Sequence, residues 1–293
     1  MSFRFSSAEE ILELSRESGL GIADILVARD ARYSGRAEAE IRNEIARRIR
    51  VTRRALDRGL EKPQRSFSGL TDGAACRVAA SASPVVRDEF FNKALSYSLA
   101  VNEVNACGGK VVAFPMAGSC GIVPGVLWAW RDARDASLGA ESRAFQDAFA
   151  AAAAIGILVA AKATLAGAAG GCQAECGAAA AMAAAGLSAL MGEDDRTAIE
   201  AAALSLKNSL GLACDPVAGL VEVPCVKRNA FMAANAITAA SLAAAGVRSA
   251  IPFDEVVGAM KAIGDAMPSS LRESSEGGLA ATPTGSSYWA KIR

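Results

Sequence analysis

Apolar residues recur at helical spacing along much of the chain. The clearest stripe lies within residues 36–58, among interleaved arginines and glutamates, and consists of Ile41, Ile45, Ile49, Thr52 and Leu56. Nearer the start, Ser7 is followed three residues later by Glu10, the pattern of a capping box that opens a helix running through Leu14. The pattern therefore predicts two amphipathic helices in the N-terminal region.

From about residue 85 the pattern predicts a helical body. A helix over residues 88–106 is ended by two glycines, and the apolar run at 110–114, which stops at Pro115, is expected to be extended. The remaining chain is alanine-rich helix, interrupted at residues 170–177 and 214–225. Since one short extended run stands against at least eight helical segments, the predicted fold class is all-α: a multi-helix bundle with cysteine-bearing loops and at most one short extended segment.

Composition supports this fold class and divides the chain. Aromatic residues make up only 5% and alanine is abundant, which favours closely packed helices over sheets. Residues 1–65 carry 25 of the 62 charged residues. We therefore predict a charged N-terminal helical arm at 1–65, followed by an alanine-rich, all-helical domain at 66–293.

The charge balance excludes some classes of partner. The 31 basic residues equal the 31 acidic ones, whereas proteins that bind nucleic acid or anionic membranes normally have a basic excess. Two long uncharged windows, 176–192 and 229–247, consist mainly of small residues, so we predict buried helices rather than membrane spans. The chain opens without an apolar signal-peptide core, and we expect a cytoplasmic protein.

Cysteine and histidine content limits the available chemistry. The chain has seven cysteines, an odd number that argues against a disulfide scaffold, and no histidine. Among the loop cysteines, Cys172, Cys214 and Cys225 lie within two residues of Gly or Pro, where a backbone can approach an inorganic cluster. Cys176 could share the site of Cys172 if both lie on one helical turn. On the residues alone, small buried hydrophobic cysteines remain the alternative.

A Gly/Ser loop precedes a predicted helix and consists of Ala117, Gly118, Ser119, Cys120 and Gly121. Unhindered backbone N–H groups at a helix entrance attract a carboxylate. The loop is therefore a candidate substrate-binding segment, with a plain turn as the alternative.

Several segments resemble one known family. Residues 171–177 (GCQAECG), 206–230 (LKNSLGLACDPVAGLVEVPCVKRNA), 251–255 (IPFDE) and 277–285 (GGLAATPTG) resemble the α subunit of the iron-sulfur-dependent L-serine dehydratases. The resemblance covers roughly residues 67–285. It departs from the family pattern at Met116, where Thr is expected, and at Asp72, where Gly is expected.

The resemblance implies a cofactor and a reaction. In that family three cysteines hold a 4Fe-4S cluster whose fourth iron lacks a permanent protein thiolate, and by motif these are Cys172, Cys214 and Cys225. An iron with a free position can act as a Lewis acid on the β-hydroxyl of L-serine. The implied reaction is β-elimination of water, giving aminoacrylate and then pyruvate and ammonia. The loop at 117–121 is implied to bind the substrate, within a catalytic domain at 66–293.

The proton-abstracting residue is not identified by the sequence. Because the chain has no histidine, we expect the base on a separate β subunit, or a non-imidazole group in this chain. We therefore predict a β-subunit partner and an oligomer. A cysteine desulfidase-type lyase of the same fold remains an alternative, as does a non-catalytic metal-binding protein or helical scaffold.

Overall fold

The computed structural model describes residues 3–292, which form thirteen α-helices joined by short loops. The helices are α1 (Ala8–Ser18), α2 (Ile22–Ser34), α3 (Glu38–Glu61), α4 (Ala74–Ala79), α5 (Glu89–Ala106), α6 (Ile122–Arg134), α7 (Arg143–Lys162), α8 (Gly167–Gly170), α9 (Ala178–Leu190), α10 (Asp195–Lys207), α11 (Cys225–Ala244), α12 (Phe253–Ala266) and α13 (Pro283–Ile292). Within that described range there is no β-strand, only two isolated bridges. The all-α prediction is confirmed.

Helix α9 lies at the centre of the bundle. Every residue from 178 to 187 is buried, and α6, α7, α10 and α11 pack around the helix. Small side chains allow this density: a Cβ added at Gly186 would lie 2.8 Å from the backbone oxygen of Ala148, so α7 and α9 approach backbone to backbone. The many small alanine side chains thus allow the helices of the core to pack closely.

The N-terminal helices pack onto this body. Side chains of α1, α2 and α3, including Ile11, Ile25 and Ile49, belong to the same hydrophobic cluster as α9. The indole N–H of Trp128 on α6 also donates to the Thr52 hydroxyl of α3 at 2.9 Å. The domain boundary after residue 65 stays a prediction, but side chains on both sides of it share one core.

Individual elements agree with the sequence pattern to different degrees. The capping box at Ser7 and Glu10 is present with both of its hydrogen bonds, and the helices predicted at 36–58 and 88–106 are α3 and α5. The run at 110–114 pairs with no strand among residues 3–292. Helix α2 was missed because its apolar residues at 25–28 are consecutive rather than spaced along one face.

Helix α7 is long and apolar enough to cross a membrane by length and composition alone. It is the single helix of that kind within residues 3–292, and its most apolar window is 67% buried by the rest of the protein. Such burial is typical of a core helix, and α7 does contact the central α9.

Candidate functional site

The three predicted cluster cysteines come from three different elements. Cys172 follows Gly171, whose φ of +75° is a left-handed conformation that favours glycine, and precedes a π-helical turn at Gln173–Gly177. Cys214 lies in the loop after α10, and Cys225 is the first residue of α11. All three are buried, at 1%, 4% and 7% exposure respectively.

Hydrogen bonds of Gln173 connect the segment that follows Cys172 to the loop that leads into Cys214. Its backbone N–H donates to the Leu212 carbonyl at 3.1 Å, and its side-chain oxygen accepts from the Gly211 N–H at 2.9 Å. The side-chain nitrogen donates to the Met260 carbonyl of α12 at 2.9 Å. The turn after Cys172 is therefore fixed against the loop that leads into Cys214.

The closing part of the chain covers the Cys214 loop from the other side. The Cys214 N–H donates to the Leu271 carbonyl at 2.9 Å, and its carbonyl accepts from the Glu273 N–H at 2.6 Å. Asp215 accepts from the Leu279 N–H at 2.8 Å. These bonds explain why the sequence motifs near the end of the chain accompany the cysteine motifs: the two are in contact.

The cysteines share one electrostatic environment. Hydrogen bonding to the Cys176 thiol, together with the positive charge of Arg228, lowers the pKa of Cys172 to about 7 despite burial. Burial, and next the charge of Cys172, raise the pKa of Cys225 to about 12 and that of Cys214 well above its usual value. The charge of Cys172 therefore raises the pKa of both Cys214 and Cys225, and the Cys176 thiol is hydrogen-bonded to Cys172.

Arg228 supplies the nearest positive charge. It lies one turn after the start of α11, donates to the Ala213 carbonyl at 2.8 Å and lies 3.7 Å from a carboxylate oxygen of Asp215. Its side chain is only 15% exposed, whereas the neighbouring Lys227 is exposed to solvent. The two adjacent cations therefore differ in position: Arg228 faces the thiols, whereas Lys227 faces solvent.

The possible metal donors at the site are cysteine thiols. Thiolates that bind one ion at about 2.3 Å stand roughly 3.8 Å apart. Within residues 3–292, no group of three or more Cys, Asp or Glu side chains forms such a ready-made single-ion site. A cluster binds each thiolate through a different iron, and three buried thiols from separate segments beside the half-buried Arg228 match that donor chemistry.

The predicted substrate loop lies beside these cysteines and is held by asparagine side chains. Asn229, one turn after Cys225 on α11, donates to the Gly118 carbonyl at 2.8 Å and accepts from the Gly121 N–H at 2.9 Å. Asn102 of α5 donates to the same Gly118 carbonyl at 2.9 Å. The loop is therefore rigidly attached to the helix that begins with Cys225.

Only part of the loop offers free donors. The N–H groups of Ser119 and Cys120 donate within the turn, and that of Gly121 donates to Asn229. The N–H groups of Ala117 and Gly118 have no acceptor among residues 3–292, and Gly118 is buried. A carboxylate would therefore find its donors at the first two residues of the predicted segment.

Cys120 belongs to the core rather than to the thiol group. Its sulfur is fully buried, accepts from the Asn102 amide at 3.6 Å, and burial raises its pKa to about 12. Among the residues predicted from sequence to contact substrate, Cys120 therefore has its thiol in the core and its N–H engaged.

Two acidic residues of the site were missed by sequence analysis. Glu175 is the only charged residue between Lys162 and Glu193, and it lies between the loop and the cysteines. A Cβ at Gly118 would lie 3.1 Å from its Oε2, and a Cβ at Gly167 would lie 3.0 Å from its Oε1. An isolated charge in an apolar run is the signal that could have identified it.

Glu222 fixes a further loop against the site. Its carboxylate accepts hydrogen bonds from three hydroxyls, those of Ser66, Ser68 and Thr71, at 2.5, 2.7 and 2.6 Å. It is 5% exposed and lies three residues before Cys225. The Ser/Gly-rich segment at 66–71 is therefore packed against the Cys225 loop.

A family profile described as "Serine dehydratase alpha chain" matches residues 17–280. The chain belongs to the serine dehydratase α-chain family. It is 42% identical over 295 residues to a Bacillus subtilis protein named as a probable L-serine dehydratase α chain, covering 98% of this chain and 95% of that one. It is also 41% identical to the L-serine dehydratase α chain of Peptoniphilus asaccharolyticus, over 96% and 95% of the two chains.

Other members of the family are longer. The L-serine dehydratase of Streptomyces coelicolor is 36% identical to 96% of this chain, and the match covers only 61% of that protein. The serine dehydratase α chain thus occurs both as a separate chain of this length and as part of a longer polypeptide.

Proposed function

We propose that this chain is the catalytic α subunit of an L-serine dehydratase whose Cys172, Cys214 and Cys225 hold a 4Fe-4S cluster. The proposed reaction removes water from L-serine to give aminoacrylate, which tautomerises to an imine and takes up water to give pyruvate and ammonia. The observation that supports the proposal is that three buried thiols lie close enough for the charge of Cys172 to raise the pKa of the other two, beside Arg228 and next to a loop with unpaired backbone N–H groups.

The chain's own residues have defined roles in this proposal. The three thiols hold the cluster, which when bound supplies a Lewis acid for the departing hydroxyl group. Arg228 offsets the negative charge of the thiolates, since a buried anionic group requires a nearby cation. The N–H groups of Ala117 and Gly118 bind the substrate carboxylate. Packing of the 269–282 segment over the Cys214 loop limits access of water.

A β subunit completes the proposal. The chain contains no histidine, and its longer relatives carry additional sequence beyond the part that this chain matches. The two similar separate chains are named α chains, which implies a partner. We propose that this partner supplies the group that removes the α-proton, and that the working enzyme is an oligomer containing both subunits.

The test is an anaerobic assay of pyruvate and ammonia from L-serine, with L-threonine, L-cysteine and D-serine as alternative substrates. The α and β chains produced together should form pyruvate and ammonia in equal amounts from L-serine, and the α chain alone should not. Cys225→Ser should abolish turnover, whereas Cys107→Ser, which alters a half-buried cysteine outside the thiol group, should not. Faster release of sulfide from L-cysteine than of ammonia from L-serine would contradict the proposed substrate.

A further inference from the structure

Glu175 is a buried carboxylate that has no ion-pair partner in the described part of the chain. It is 8% exposed, and its hydrogen bond within the described chain comes from the Gly167 N–H, at 3.0 Å to Oε1. No Lys or Arg among residues 3–292 forms an ion pair with it. Burying a charged carboxylate costs free energy of desolvation unless a positive charge accompanies it. Residues 3–292 do not provide that charge.

The surroundings of Glu175 increase the need for a cation. Arg228, the half-buried cation of the site, is directed at Cys172 and Asp215 instead. Burial raises the pKa of the Glu175 carboxyl, because its charged form is poorly solvated there. A positive group delivered by a bound molecule would satisfy this position.

The two oxygens of Glu175 face the two halves of the site. Oε2 lies 3.1 Å from the point where Gly118 would carry a Cβ, on the substrate loop. Oε1 and the Cys214 sulfur each lie 3.0 Å from the corresponding point of Gly167. Because both neighbouring residues are glycines, neither of them places a side chain over the carboxylate.

We propose that Glu175 binds the α-ammonium group of the amino-acid substrate, an inference that rests on the proposed function. L-Serine carries a carboxylate at one end, a hydroxyl at the other and its ammonium group on the carbon between them. Glu175 has the matching position between the N–H groups of the 117–118 segment and the cysteines. It therefore selects amino acids over hydroxy acids that lack the amine.

The test compares two ligands that differ in the ammonium group. Dissociation constants of L-serine and of 3-hydroxypropanoate are measured from ligand-induced changes in the visible or EPR spectrum of the anaerobic, iron-loaded enzyme with its β subunit. The wild type should bind L-serine about 10- to 100-fold more tightly, the range expected for a charge-assisted hydrogen-bonded pair. In Glu175→Gln this preference should fall to within about threefold of unity, with little change for 3-hydroxypropanoate.

Two further variants control for structural effects. Gln keeps an oxygen for the Gly167 N–H, and the spectrum reports only the iron-loaded fraction, so incomplete loading does not distort the ratio. Glu175→Asp keeps the charge and should retain more of the preference than Glu175→Gln. Glu273→Gln removes an exposed neighbouring carboxylate and should leave the wild-type ratio unchanged.

The inference is overturned if Glu175→Gln still prefers L-serine tenfold or more, or if Glu273→Gln abolishes the preference instead. It is also overturned if Glu175→Gln binds L-serine normally and loses only kcat, since that result would make Glu175 the proton acceptor. If the iron-loaded wild type neither binds L-serine nor releases pyruvate, the proposed function itself fails, so the two failures are distinct.

Discussion

Asn229 is the residue through which α11 holds the substrate loop, and replacing it tests that connection. Its amide is fully buried and makes three hydrogen bonds: to the Gly118 carbonyl at 2.8 Å, to the Cys225 carbonyl at 2.9 Å and from the Gly121 N–H at 2.9 Å. Asn229→Ala should lower both the stability of the fold and the affinity for L-serine.

The expected loss of stability in Asn229→Ala depends on which backbone groups are left without a hydrogen-bond partner. The Gly118 carbonyl keeps its bond from Asn102, but the Gly121 N–H has no other acceptor among residues 3–292. An unsatisfied buried donor costs about 1–3 kcal/mol, and the cavity left by the amide adds about 1 kcal/mol. We expect Asn229→Ala to lose about 2–4 kcal/mol of unfolding free energy.

The assay is urea unfolding under anaerobic conditions, combined with the KM for L-serine of the enzyme with its β subunit. Asn235→Ala is the matched control. Asn235 is a half-buried residue on the same helix, and its amide nitrogen donates to the Ser205 carbonyl at 3.0 Å, away from the loop. It should lose about 1 kcal/mol with an unchanged KM. If Asn229→Ala costs no more than Asn235→Ala and leaves KM unchanged, Asn229 does not hold the loop.

Three other predictions concern the helices that support the site. Gly59→Ala should lose about 1–3 kcal/mol of unfolding free energy, because its Cβ would lie 2.4 Å from the Ala100 carbonyl oxygen where α3 meets α5. The control Gly258→Ala lies on an open face of α12 and should gain up to about 1 kcal/mol. Equal urea midpoints for the two variants would refute the close approach of α3 and α5. Asp195→Ala should lose about 1–2 kcal/mol of unfolding free energy, because its carboxylate accepts a hydrogen bond from the first N–H of α2 at 3.1 Å and so connects the N-terminal helices to α10. An unchanged urea midpoint would show that other contacts hold these helices in place. Burial raises the pKa of Glu103 above its unfolded value of about 4.3, so its contribution to stability is complete below that pH and is lost as pH rises through the folded pKa. Urea midpoints from pH 4 to 8 should show that decline in the wild type and not in Glu103→Gln, and parallel profiles would contradict it.

Local sequence signals predicted the helices well because they act over a few residues. The capping box at Ser7 and the stripe around Ile49 specify helix starts and faces without any tertiary contact. Helix α2 lacks such a stripe, since it is covered by α1, α3 and α7, and its existence depends on those neighbours.

The site was predictable only in part. The cysteines could be proposed from their Gly and Pro neighbours and from the family motifs, but their meeting depends on contacts between distant segments, such as Gln173 with Leu212. The positions of Glu175 and Glu222 depend on the same long-range packing. No spacing rule along the chain indicates that a glutamate after Cys172 faces a loop more than fifty residues earlier.

The central claim is that three cysteines hold an iron-sulfur cluster, and its most direct test is the iron and acid-labile sulfide content of the chain purified without oxygen. The wild type should be brown and contain about four iron and four sulfide per chain. Cys172→Ser, Cys214→Ser and Cys225→Ser should each remove them, while Cys76→Ser and Cys120→Ser should not. A colourless protein with stoichiometric zinc, or loss of iron in Cys120→Ser but not in Cys172→Ser, would contradict the account.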